Sequence, residues 1–125
     1  MTPMKEAVFR RNPEAEFYID EGCYITELSN TQDDAGLSIA RARVIPGATT
    51  RWHRLSATAE RYIILEGTGL VEVGQSLQEH VGEGDVVLIP AMSKQRITNT
   101  GIDDLVFLAI CTPRFEHGDY EDIGD

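Results

Sequence analysis

The sequence has few cysteines and no long apolar run. Its two cysteines, Cys23 and Cys111, lack the spacing of a zinc site and are too few for a secreted disulfide scaffold. We therefore expect both thiols to be reduced and buried. No apolar stretch has the length of a signal peptide or a membrane span, which predicts a cytoplasmic protein that makes no membrane contact.

Basic charge is also scarce. The 11 Lys and Arg residues stand against 21 Asp and Glu, a formal net charge of −10, and they form no cluster. Nucleic acid is therefore not an expected partner, because its binding needs a basic patch. Many of the acids lie near the two ends, where we expect them to solvate the termini rather than line a site. These acids are Glu14, Glu16, Asp20, Glu21, Glu116, Asp119, Glu121, Asp122 and Asp125.

Long helical periodicity is absent as well. Short apolar or alternating segments separated by turn residues begin at residue 17, a pattern typical of an all-β barrel or sandwich. The predicted strands are 17–19, 23–28, 37–45, 50–54, 60–65, 69–73, 85–89, 95–99 and 105–111. A chain of 125 residues fits one domain. We place the barrel at 17–112, after an N-terminal extension (1–16) that is strand-exchanging or flexible and before an acidic C-terminal tail (113–125).

The stretch from Gly47 to Gly67 carries a spaced set of polar residues that includes His53 and Glu60. It resembles the first motif of the cupin superfamily, in which a glycine precedes a His-x-His pair, a glutamate and a second glycine. Leu55 stands where the second histidine of that pair is expected. Because side chains two apart on a strand face the same side, His53 and Leu55 share a face.

The stretch from Gly84 to Asn99 resembles the second cupin motif, in which a glycine and a proline precede a glycine, a histidine and an asparagine. Met92 replaces the second glycine and Gln95 replaces the histidine. The two motifs together cover 47–99. The chain is thereby identified as similar to small single-domain cupins, which implies a double-stranded β-helix, or jelly-roll, barrel.

The resemblance also implies a site at the open end of the barrel. Metal-binding cupins hold one divalent metal with two histidines, a glutamate and a third histidine. The residues left here are His53, Glu60 and Gln95, a weaker set that could hold Fe, Mn, Ni, Zn or Cu if water completes the shell. In the alternative, the three side chains only hydrogen-bond one another in a metal-free barrel.

Other residues are candidates for contact with a small-molecule substrate. Tyr62 shares the face of Glu60 and is the candidate catalytic residue, since its hydroxyl can move a proton while its ring shapes the cavity. Gln95 is expected to ligate or orient the substrate. Arg43 would bind an anionic substrate if it faces inward, although it could equally lie on the outer surface.

Three residues have less direct roles. His80 is expected in a solvated polar loop, and His117 in a peripheral segment that could fold over the barrel mouth. Trp52 precedes His53 and so points to the opposite face. A homodimer, which is common among small cupins, would offer a surface to cover this indole.

Two functions remain open. The first is a metal-dependent enzyme of the oxygenase or the isomerase, epimerase or lyase type. The second is a non-catalytic barrel that binds or senses a small ligand without a tight metal, with Leu55 and Met92 as an apolar wall. The fold hosts too many chemistries to choose between them.

Overall fold

The computed structural model describes residues 4–124 and contains two antiparallel β-sheets. The strands are β1 (Phe17–Ile19), β2 (Cys23–Ser29), β3 (Ser38–Val44), β4 (Trp52–Leu55), β5 (Ala59–Glu66), β6 (Thr68–Val73), β7 (Leu77–Gly82), β8 (Val86–Ile89), β9 (Gln95–Asn99), β10 (Leu105–Thr112) and β11 (Tyr120–Gly124). The helical elements of the described chain are short 3-10 turns at Pro13–Ala15, Gln32–Asp34 and His117–Asp119. None of these turns is long and apolar enough to cross a membrane.

Each sheet contains strands from both the first and the second half of the chain. One sheet runs β1-β2-β3-β10-β5-β8 and the other runs β11-β4-β9-β6-β7. Their neighbours are far apart in sequence, as where β10 lies between β3 and β5 with antiparallel register on both sides. The all-β class and the double-stranded β-helix barrel predicted from the sequence are confirmed.

Two strands were missed by the sequence analysis. Strand β7 is an edge strand whose first four residues are exposed, so its polar sequence gives no alternation; His80 lies on it rather than in a loop. Strand β11 lies in the segment 113–125 and pairs with β4, with Tyr120 opposite Leu55. The boundary at residue 112 is therefore too early, because the barrel continues into the predicted acidic tail.

The interior contains a close-packed apolar region and a cavity. Ile64, Ile97 and Leu105 are at most 1% exposed and fill one part with close-packed apolar groups. Each such burial stabilises the fold by about 1.5 to 3 kcal/mol. In the other part, β3 and β10 present Ala40 and Ala109 opposite each other. These short side chains leave room for a cavity.

Two motif residues have structural roles. Gly67 has a φ of +84°, and a Cβ there would lie 2.7 Å from the carbonyl oxygen of Asp104, so only glycine fits this turn. The buried Asn99 amide donates to the carbonyl oxygens of Val44 and Asp103, at 2.8 Å each. These contacts explain both residues without reference to a ligand.

Met92 occupies a position where the cupin motif has glycine. Its φ of 71° lies in the left-handed region, which explains why glycine is usual there. The side chain is 49% exposed. Met92 does not line the interior cavity, whereas Leu55 does. The prediction that both residues form an apolar wall of the cavity is therefore correct for Leu55 and wrong for Met92.

Candidate functional site

A cavity of about 440 Å³ lies between the inner faces of the two sheets. This volume suits a small organic molecule. Apolar side chains from β1, β2, β3 and β10 form most of one side. The polar residues that line it are Asp20, Glu21, Ser38, His53, Glu60, Tyr62, Cys111, His117, Tyr120 and Asp122.

His53 reaches the cavity from β4 and is 2% exposed. Its Nδ1 lies 2.8 Å from the carbonyl oxygen of Arg51, which can only accept, so Nδ1 carries the proton and Nε2 has the free lone pair. Burial lowers the pKa of His53. The imidazole is therefore neutral near pH 7, and it stacks on the Tyr120 ring with 5.3 Å between centroids.

Glu21 faces this imidazole, with 3.5 Å between its Oε1 and His53 Nε2. The residue lies in the connection between β1 and β2, where the Arg51 N–H donates to the Glu21 carbonyl oxygen at 2.8 Å. Burial raises the pKa of Glu21 to about 7, although the Cys23 thiol, 3.6 Å from Oε2, opposes the rise. The prediction that Glu21 only solvates a terminus is therefore wrong.

Glu60 enters from β5, opposite Cys111 on β10. Burial raises the pKa of Glu60 to about 7, and the nearby charge of Glu21 adds to the rise, whereas His53 and Gln95 oppose it. Its Oε1 is buried and has no hydrogen-bond partner among the described residues. The site thus holds two buried carboxyl groups whose pKa values are both raised toward neutral pH.

Tyr62 and Gln95 form the floor beneath these groups. Both are buried, and the Tyr62 hydroxyl donates a short hydrogen bond to Gln95 Oε1. Burial raises the pKa of Tyr62 well above its ordinary value, so the phenol acts as a hydrogen-bond donor rather than as a base. Gln95 lies opposite His53 across β4 and β9, but Tyr62 rather than Gln95 lines the cavity.

The structure brings the predicted metal ligands His53, Glu60 and Gln95 to one region of the barrel. Among residues 4–124, no three His, Cys, Asp or Glu side chains are placed to hold a metal ion. Gln95 Oε1 accepts from Tyr62, and His53 Nε2 faces Glu21. Both donors thus contact protein groups among the described residues, and the metal role of His53, Glu60 and Gln95 stays a prediction.

Arg43 lies on the outer face of β3, one of the two positions that the sequence left open. Its guanidinium contacts Glu16 Oε1 at 2.7 Å and Asp104 Oδ2 at 3.1 Å. Its neighbour Ala42 lines the cavity instead, because alternate residues of a strand face opposite sides. The structure therefore removes Arg43 from the set of cavity contacts.

Two further ring-bearing residues differ in their distance from the site. His117 lines the cavity and packs edge-on against Phe115, so the segment after β10 does fold over this region. Trp52 points away from the cavity, and Lys94 and Arg96 lie over its ring at 4.6 and 4.3 Å. A homodimer interface at Trp52 stays a prediction.

Asp20 and Asp122 were also missed as cavity residues. Both were expected to solvate the termini, yet both line the cavity. Asp122 pairs with Arg51 at 2.8 Å. The sequence held no signal for them, because they reach the cavity only once β1 and β11 take their places in the sheets. Asp125 lies outside the described residues.

Comparison with known proteins gives a consistent result. A family model described as a cupin domain matches residues 40–111. An uncharacterised protein of Methanocaldococcus jannaschii, MJ1618, is 34% identical over 103 residues, which cover 81% of this chain and 82% of that protein.

Two solved structures are similar in fold. KdgF from Halomonas sp. superposes with a TM-score of 0.76 at 15% identity, covering 87% of this chain and 96% of that one. The nucleoside dehydratase Pac13 of Streptomyces gives a TM-score of 0.76 at 14% identity, covering 94% and 92%. At these identities the likeness concerns the fold alone.

Proposed function

The chain belongs to the cupin family, and from that premise we propose that it is an enzyme of the lyase or isomerase type. It would move a proton on a small organic molecule held in the barrel cavity. The observation that carries this proposal is the placement of two carboxyls, Glu21 and Glu60, in the cavity, with Glu21 beside His53. Burial raises the pKa of each to about 7. A proton-transfer group works best when its pKa lies near the working pH.

The two carboxyls have different surroundings, which suggests different roles. Glu60 Oε1 is buried and has no hydrogen bond to a described residue, so the ionised form of Glu60 is the candidate base that takes a proton from a substrate carbon. Glu21 faces the lone pair of His53 Nε2, so its protonated form is the candidate acid that protonates the leaving or receiving oxygen. Tyr62 would hold the substrate and Gln95 in place through its hydroxyl.

One of the similar structures supports this class of reaction. Pac13 is a nucleoside dehydratase, and it has been solved with uridine. A dehydration removes a proton from carbon and protonates a leaving hydroxyl, which are the two steps assigned above to Glu60 and Glu21. No step of the proposal requires a metal.

The proposal is tested by hydrogen exchange at carbon. Wild-type protein would be incubated in deuterium oxide with a panel of ketoses, amino ketones and nucleosides, beginning with uridine, and deuterium at carbon would be followed by NMR. We expect exchange or elimination with at least one compound and its loss in Glu60→Gln. Glu79→Gln, an exposed change on β7, is the matched control and should keep the activity.

A second candidate function is a non-catalytic binding barrel. The observation that favours it is the apolar wall, in which Leu55 stands where the family motif has a histidine. Binding of a panel member by wild-type protein, with no exchange at any carbon, would support this reading against the enzyme.

A further inference from the structure

Acidic side chains outnumber basic ones among the described residues that line the cavity, where the bases are His53 and His117. Asp20, Glu21, Glu60 and Asp122 all contribute to its surface, and no Lys or Arg is among the described residues that line it. Asp122 is paired with Arg51, so the repulsion of a carboxylate or phosphate ligand would come mainly from Glu21 and Glu60 in this partly desolvated space. Such repulsion strongly disfavours anionic ligands.

Glu60 Oε1 can accept a hydrogen bond from a ligand. It is buried and has no hydrogen bond to a described residue; the nearby Gln95 amide lowers the Glu60 pKa, but its Nε2 likewise has no hydrogen-bond partner there. An ionised carboxylate in this position is costly unless a cation or a hydrogen-bond donor compensates it. A ligand that carries an ammonium group supplies both the charge and the donors.

Aromatic rings provide a second attraction for a cation. The Tyr62 and Phe107 rings pack with 4.3 Å between centroids, and both line the cavity. Tyr120 lines it as well, stacked on His53. A cation placed over such a ring gains about 0.5 to 2 kcal/mol, most when water is excluded.

We infer that the cavity binds a protonated organic amine, with its ammonium group between Glu21 and Glu60 and its apolar part against the wall formed by Ala42, Phe107 and Ala109. This inference rests on the proposed function only in using the same cavity.

The test compares probes of matched shape and different charge. Binding of 2-phenylethylamine, 2-phenylethanol and 3-phenylpropionate to the full-length chain would be measured by calorimetry near pH 8. We expect the amine to bind, the alcohol to bind at least about tenfold more weakly and the carboxylate not to bind.

Substitutions then test whether Glu21 and Glu60 cause the preference for the amine. Glu60→Gln and Glu21→Gln should each reduce the preference for the amine over the alcohol by about tenfold, while Glu79→Gln on the exposed face of β7 leaves it unchanged. Equal or tighter binding of the alcohol would overturn the inference about charge and leave the proposed enzyme intact. If no probe binds, the inference is wrong. The hydrogen-exchange experiment still tests the proposed function separately.

Discussion

The most informative perturbation of this fold is Glu60→Gln, because it removes one buried charge and keeps the shape of the side chain. Burial raises the pKa of Glu60 from 4.5 to about 7. One pKa unit corresponds to about 1.4 kcal/mol, so full ionisation of this group costs the folded protein about 3 kcal/mol. The amide carries no charge and does not incur this cost.

The sign of the pH dependence follows from proton binding. Between the unfolded pKa near 4.5 and the folded pKa near 7, the folded protein holds the Glu60 proton more firmly than the unfolded chain does. The free energy of unfolding of wild-type protein therefore falls as the pH rises through this window. Glu60→Gln should match the wild type near pH 4.5 and exceed its stability by about 3 kcal/mol near pH 8.5.

Urea unfolding at the two pH values measures this difference directly. Glu79→Gln, on the exposed face of β7, should follow the wild type at both values. A Glu60→Gln variant whose advantage is the same at pH 4.5 and pH 8.5 would refute the reasoning, because the gain would then not come from the loss of a buried charge.

Three other changes test separate parts of the structure. Leu55→His adds a second imidazole to the cavity wall and should raise the affinity for Zn²⁺ at least about tenfold in calorimetry; no gain would contradict the register of β4. Gly67→Ala should lower the free energy of unfolding by more than about 2 kcal/mol, because the new Cβ would lie 2.7 Å from a backbone carbonyl oxygen. Gly36→Ala is the control and should not lower it, because no atom lies within 4 Å of a Cβ at that position. Arg43→Ala should cost about 1 kcal/mol of stability by breaking its ion pair with Glu16 but leave amine binding unchanged; weaker binding would place Arg43 in the site after all.

Much of the fold could be predicted from the sequence because polar and apolar residues alternate along a half-buried strand. Strand β9, Gln95–Asn99, was predicted with its observed bounds, since its polar and apolar residues sit between clear turn signals. Strand β7 was missed because an exposed edge strand does not need an apolar face. Strand β11 was missed because its acidic sequence resembles a solvated tail, and only pairing with β4 makes it a strand.

The site was predicted only where a motif marked it. His53, Glu60 and Tyr62 lie on strands whose register follows from the alternation of side chains, and all three line the cavity. No motif includes Glu21. It reaches His53 from the turn between β1 and β2, whose position depends on contacts with residues distant in sequence, such as the hydrogen bond from the Arg51 N–H to the Glu21 carbonyl oxygen. The adjacent Gly22, with a φ of +104°, is the one local sign of a tight turn at that point.

The proposed reaction depends most directly on two carboxyl groups in the cavity that ionise near neutral pH. Carbon-13 NMR titration of the glutamate side chains in wild-type, Glu21→Gln and Glu60→Gln proteins would measure this. We expect two glutamate carboxyls with midpoints near 7 in the wild type, one of which is missing from each variant. Titration of every glutamate near its ordinary value of 4.5 would contradict it.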